Sequence, residues 1–180
     1  MTEKMRPNVA PFPTPTALIV GLLDDLRLAA ERPPTSREEL RWLAEMPRPW
    51  DPPTCPTTLQ QQLWNWLDEV VAWINEEHTW RVDRLVPICW MQHPHIAHEI
   101  ATVACQRHSS MYAVTPDALE DWHKYTLPAF LDRIVQRVGA TGCPPDRHQP
   151  SPGAARYERH RLNLRGDGEG LAKTRTYVGP

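Results

Sequence analysis

The chain has 180 residues and 41% hydrophobic content. That is enough for a single core of roughly a hundred residues plus tails. A net charge of −2, from 20 Lys+Arg against 22 Asp+Glu, speaks against a strongly basic nucleic-acid-binding body. No apolar run approaches the roughly 18 residues of a membrane span, the opening MTEKMRPNVAPFPTP has no apolar signal core, and the four cysteines form no CxxC pair; free thiols in a reducing cytoplasm are the expectation.

Two composition biases shape the rest. Twenty prolines outnumber eight glycines and cluster at 7–15, 33–34, 47–56 and 144–152, so they punctuate the chain and leave the intervals free to be helical. Eight tryptophans against two phenylalanines mean that the aromatic core is built from indole, whose N–H needs a partner when buried. Charge is uneven: residues 1–145 carry 13 Lys+Arg and 18 Asp+Glu, whereas residues 146–180 carry 7 and 4, giving an acidic body and a basic tail.

Residues 1–15 read as an extended, proline-stiffened arm. Thr16 opens ALIVGLLDDLRLAAER, with Leu18, Ile19, Leu22, Leu23, Leu26 and Ala30 at helical spacing before Pro33-Pro34. Ser36 followed by Glu39 is a capping-box pattern and predicts a short helix presenting Leu40, Leu43 and Trp42. The stretch PRPWDPPTCP at 47–56 reads as a crossing loop pinned by Trp50. Thr57 or Thr58 then caps the clearest helix, in which Leu59, Leu63, Trp66, Leu67, Val70, Trp73 and Ile74 share a stripe widened by Trp64 and Val71. So broad a stripe predicts two packing neighbours.

Residues 78–92 break the pattern and predict a helical turn or loop. His93-Pro94, with proline at the first helical position, starts the next helix, with Ile96, Ile100, Val103, Ala104 and Met111 on one face. Thr115-Pro116-Asp117 starts the last, whose apolar face is Leu119, Trp122, Leu127, Phe130, Leu131, Ile134 and Val138, with Gly139 to end it. Pro128 inside it removes a hydrogen bond and predicts a kink. Residues 141–180, rich in Pro, Gly and Arg, read as a flexible tail. The expected fold is all-α: a bundle of four to five helices over 16–140, between the arm and the tail.

The stretch from Trp80 to Tyr112 holds four of the eight histidines and two of the four cysteines. Cys89, His93, His95, His98, Glu99, Cys105, His108 and His123 are therefore metal-ligand candidates, zinc being the ion such donors favour. His95 and Glu99 stand four apart on a helix, and His98-Glu99 begins an H-E-x-x-H pattern, but Thr102 occupies the second histidine position. No ligand pair at finger-like spacing follows Cys105 and His108, and the helix's apolar face is the opposite one. The plainer reading makes His93 a helix-start residue and the others surface histidines. A Cys89 or Cys105 nucleophile beside His98 or His108 lacks an elbow or oxyanion turn. In the tail, Arg156, Tyr157, Arg159, Arg161 and Arg165 are candidate nucleic-acid contacts, with a solvated tail as the plainer account.

Residues 59–138 resemble an actinobacterial domain family of unknown function met on conjugative plasmids, integrative elements and phages. The resemblance is carried by Trp64, Trp66 and Trp73, by Pro87, Trp90, His93 and Pro94, by Glu99, and by Trp122, Leu127 and Pro128. The chain departs from the family at Cys89-Trp90-Met91, where adjacent tryptophans are common, and at His95, where an acidic residue is usual. The resemblance implies a genomic setting and no chemistry. The resulting expectation is a non-enzymatic helical adaptor encoded on a mobile element, with no cofactor and a protein partner. Its alternatives are a nucleic-acid-binding accessory protein acting through the tail and a metal-binding helical protein acting through 93–108.

Overall fold

A computed structural model describes residues 9–138, 143, 148–150, 153, 156, 157, 159 and 161. The described residues form helices and turns with no strand: α1 (Ala17–Glu31), α2 (Arg37–Glu45), α3 (Thr57–Glu77), α4 (Pro94–Ser110), α5 (Asp117–Asp121) and α6 (Leu127–Val138). A π-helical turn, Trp122–Thr126, joins α5 and α6 into one rod, so five helical rods make up the all-α fold. Short 3-10 turns at Pro52–Thr54, Val82–Arg84 and Trp90–Gln92 shape the connections.

The long α3 is the centre. Its stripe buries Leu59, Leu63, Trp66, Leu67, Val70, Val71, Trp73 and Ile74, and it packs on α1 from one side and α4 from another, which is why the stripe is broad. Each fully buried Leu or Ile contributes about 2 kcal/mol through removal of apolar surface from water. Helix α4 in turn touches α6 and the π turn. No side chain caps α3; Pro56 stands at its N-cap, and Thr57 and Thr58 are already within or beginning the helix. Pro56 suits that place because its missing N–H would be unsatisfied there in any case.

The buried indoles find partners that tie distant segments together. Trp66 and Trp73 donate from Nε1 to the carbonyls of Pro13 and Ala10, each at 3.0 Å, and Phe12 packs edge-on to both rings. The described part of the proline-rich arm is thereby a fixed strap across α3. Trp90 donates to Asp68 Oδ1 at 3.1 Å and Trp122 to the Val103 carbonyl at 3.0 Å. Asn75 bonds both ways with the Val86 backbone, at 3.0 and 2.9 Å, and holds the 78–92 connection against α3.

Several local expectations change. Ser36 and Glu39 do form the reciprocal capping box, yet α2 buries no residue and Leu40 and Trp42 stay exposed, because no other element among the described residues covers that face. The 47–56 loop is held by buried Met46, Pro49, Pro52 and Cys55 while Trp50 is exposed. Met111 and Leu18 likewise lie outside the core. Around Pro128 the irregularity takes a definite form: the Leu127 N–H reaches back five residues to the Trp122 carbonyl, a π turn just ahead of the proline that cannot donate.

Candidate metal centre

Trp90 sets up one half of the site. Its ring is fully buried between α3 and α4 and beside Trp64, with ring centroids 5.9 Å apart. Around it the backbone folds into consecutive tight turns, with the Trp90 N–H on the Pro87 carbonyl at 2.9 Å, the Gln92 N–H on Cys89 at 2.8 Å and the His93 N–H on Trp90 at 3.0 Å. These turns swing Cys89 and His93 to the same side, leaving Cys89 Sγ 3.3 Å from His93 Nε2. Pro94 then starts α4, so His93 occupies the N-cap position, but its side chain turns toward Cys89 and caps nothing.

The other half comes from beyond α6. Cys143 is buried at 7% exposure, its Sγ lies 3.8 Å from His148 Nδ1, and the Gln149 backbone N–H donates to the same sulfur at 3.1 Å. The His93 and His148 rings lie side by side with centroids 4.8 Å apart and planes tilted by 57°. Together Cys89, His93, Cys143 and His148 bring one ligand atom each within 4.8 Å of one another. A tetrahedral zinc with bonds of about 2.3 Å to sulfur and about 2.05 Å to nitrogen requires ligand–ligand separations of about 3.3–3.8 Å. The two Cys–His separations fall in that window, and an amide N–H on a ligating sulfur is the outer-shell contact such sites use.

The electrostatics describe what an ion would change. Burial, and then the neighbouring Cys143 thiol, push the Cys89 thiol up to about 11. Burial first, and then the nearby His148 and His95, hold His93 below its ordinary value, so its imidazole is neutral and can offer a lone pair. A divalent cation reverses the penalty on the thiolates, since a coordinating thiol is deprotonated outright.

The candidates drawn from the helix itself do not converge. His98 is exposed, and Glu99 accepts hydrogen bonds from Arg133, at 2.6 Å, and from Arg137, which spends the carboxylate on joining α4 to α6. His95 is partly buried with no hydrogen-bond partner at Nε2 among the described residues. Cys105 and His108 are both buried, whereas the helix geometry alone predicted outward-facing histidines. Burial, then Cys55, drive Cys105 up to about 12, far from the thiolate that nucleophilic catalysis needs. His123 packs against His78 and Trp122. In the tail, Arg156, Tyr157, Arg159 and Arg161 are helical and exposed, and Arg165 lies outside the described residues.

Cys143 and His148 are the residues that sequence reasoning passes over. Their signal is a second Cys-then-His step, Cys143-x4-His148, echoing Cys89-x3-His93, but it sits in a proline-rich stretch that composition assigns to a tail. No protein-family model, curated protein or solved structure matches the chain. The fold and the site therefore define it as an all-α helical protein with a convergent Cys2His2 cluster.

Proposed function

We propose that the protein binds one zinc ion through Cys89, His93, Cys143 and His148, and that this metal is structural. The observation that carries this reading is the approach of four donor atoms, two sulfurs and two nitrogens, to within 4.8 Å of one another. Two thiolates and two imidazoles match zinc's preference, and four protein ligands leave no open position for a water or substrate. The ion would staple the segment beyond α6 to the turn that starts α4. Equilibrium loading followed by elemental analysis should find one zinc per chain. Cobalt should give the intense visible bands of a tetrahedral thiolate site. Cys89→Ser and His148→Ala should each lower affinity by at least tenfold; wild-type protein that retains well under one equivalent after gel filtration ends the reading.

On this reading the module is a non-enzymatic interaction protein. Its support is the connection after α3, where Trp80 is 98% exposed and Val82 and Ile88 are also largely in solvent. Three large apolar side chains left in water along one short connection support a protein-contact surface there. Trp80→Ala should leave the thermal midpoint unchanged and weaken partner binding; a partner bound equally well by that variant moves the interface elsewhere.

A further inference from the structure

We infer that Cys89 and Cys143 form an oxidation site at which hydrogen peroxide converts the zinc-bound thiolate pair into an intrachain disulfide, exchanging a metal staple for a covalent one. This rests on the metal reading above. The bond-forming atoms are already neighbours, both belonging to the set of four within 4.8 Å. Two sulfurs on one zinc would stand about 3.8 Å apart and a disulfide is about 2.05 Å long, so closing the bond needs under about 2 Å of movement shared by two side chains.

Exposure gives the pair an order of reaction. Cys89 is half-buried and Cys143 is buried, so an oxidant meets Cys89 first. The Cys89 thiolate attacks one peroxide oxygen, the O–O bond breaks, hydroxide leaves, and the sulfur becomes a sulfenic acid. The Cys143 thiolate then attacks that sulfur, the S–S bond forms, the S–O bond breaks, and a second hydroxide leaves. The two thiolates lose two electrons and the peroxide is reduced to two hydroxides. A resolving thiol this close intercepts the sulfenic acid before further oxidation. His93 and His148 remain as a two-ligand remnant, too few to retain the ion, and zinc departs.

The other two cysteines are built to stay out of this chemistry. Cys55 and Cys105 are buried, the Cys55 thiol donates to the Arg48 carbonyl at 3.5 Å, and Cys105 is held protonated by its surroundings. They serve as internal standards. Because the disulfide would join the same two segments as the metal, oxidation should leave the helices in place.

The test uses full-length, zinc-loaded protein and stoichiometric hydrogen peroxide, with metal content measured before oxidant is added. The expected result is one zinc released for every two thiols lost, a Cys89–Cys143 cross-link in the peptide map, reduced Cys55 and Cys105, unchanged helical circular dichroism, and recovery with dithiothreitol and zinc. In Cys143→Ser, kept loaded by excess zinc so that Cys89 remains a thiolate, the Cys89 sulfur should stop at a sulfenic acid trapped by dimedone. Zinc release with Cys89 and Cys143 unjoined overturns the inference and leaves the metal reading standing, as does a cross-link through Cys55 or Cys105. Protein that takes up no zinc before the oxidant overturns the metal reading and the exchange with it.

Discussion

His108 shows at single-residue scale how burial becomes pH sensitivity. It is 4% exposed, lies edge-on to Trp66 and close to Tyr112, and neither ring nitrogen has a hydrogen-bond partner among the described residues. Burial holds its pKa below the ordinary value, outweighing the opposing pull of Asp24. The unfolded chain takes up a proton near pH 6.5 while the folded one resists, so the stability present above about 6.5 is lost as pH falls, at up to about 1.4 kcal/mol per pH unit for one proton. His78, His95 and His123 are held down by burial in the same sense, so the losses accumulate. His108→Phe keeps a ring between Trp66 and Tyr112 and removes the ionisation. Urea denaturation at pH 7.5 and 5.5 should show a smaller acid loss in the variant than in the wild type. Equal losses would mean that His108 titrates normally.

Glu99 shows the opposite case. Burial pushes its pKa up, but hydrogen bonds from Arg133 and Arg137, with their charges, prevail and hold it below the usual carboxylate range. A depressed carboxylate contributes stability at neutral pH that is lost as acid protonates it. The arginines are partly solvated, so screening limits this pair of ion pairs to about 1 kcal/mol. Glu99→Gln should therefore cost about that much at pH 7 and almost nothing near pH 3, as read from paired denaturation curves.

At the scale of elements, what could be read from the sequence depended on whether the information was local. The stripes of α3 and of α6 were visible because helical periodicity needs only neighbouring residues: every α3 stripe position but partly buried Trp64 is buried, as are Leu127, Phe130, Leu131 and Ile134 of α6. Periodicity says which face is apolar and not whether another element covers it, so Trp42, Leu40 and Met111 share apolar faces yet lie in water. The arm was visible as extended chain, but its attachment was not, because a hydrogen bond from Trp73 to Ala10 spans the sequence. That bond is separable from the packing. Trp73→Phe retains an aromatic ring against Phe12 and deletes the donor; a lost hydrogen bond that leaves a carbonyl unpaired costs about 1–3 kcal/mol. The backbone amides of Val9, Ala10, Phe12 and Thr14 should then exchange faster while those of α4 hold; uniform acceleration throughout the chain would locate the damage in the core instead.

At the scale of the whole molecule, the cluster was hidden for the same reason as the strap. Cys89 and His93 lie ahead of α4, Cys143 and His148 lie after α6, and the packing of α6 on α4 and on the Val82–Arg84 turn brings those ends together. The bundle does not need the ion to exist: the core of α1, α3, α4 and α6 is continuous and tryptophan-rich without any ligand residue. Chelation should therefore leave the helical signal intact, unlike small zinc domains that unfold without metal. It should lower the thermal midpoint, because an ion bound only by the folded chain adds about 2.7 kcal/mol when its free concentration is a hundred times its dissociation constant. For a chain of this size each kcal/mol moves the midpoint by about 2–4 °C, so a difference on the order of 5–10 °C between zinc-loaded and chelated protein is expected. Imidazole and thiolate ligands must shed protons to bind, so this increment shrinks as pH falls. Cys89→Ser, with its weaker site, should gain at most about half as much from the same zinc concentration. A wild-type midpoint indifferent to zinc, with one ion still bound, would make the metal a passenger on a fold that is held by its tryptophans alone.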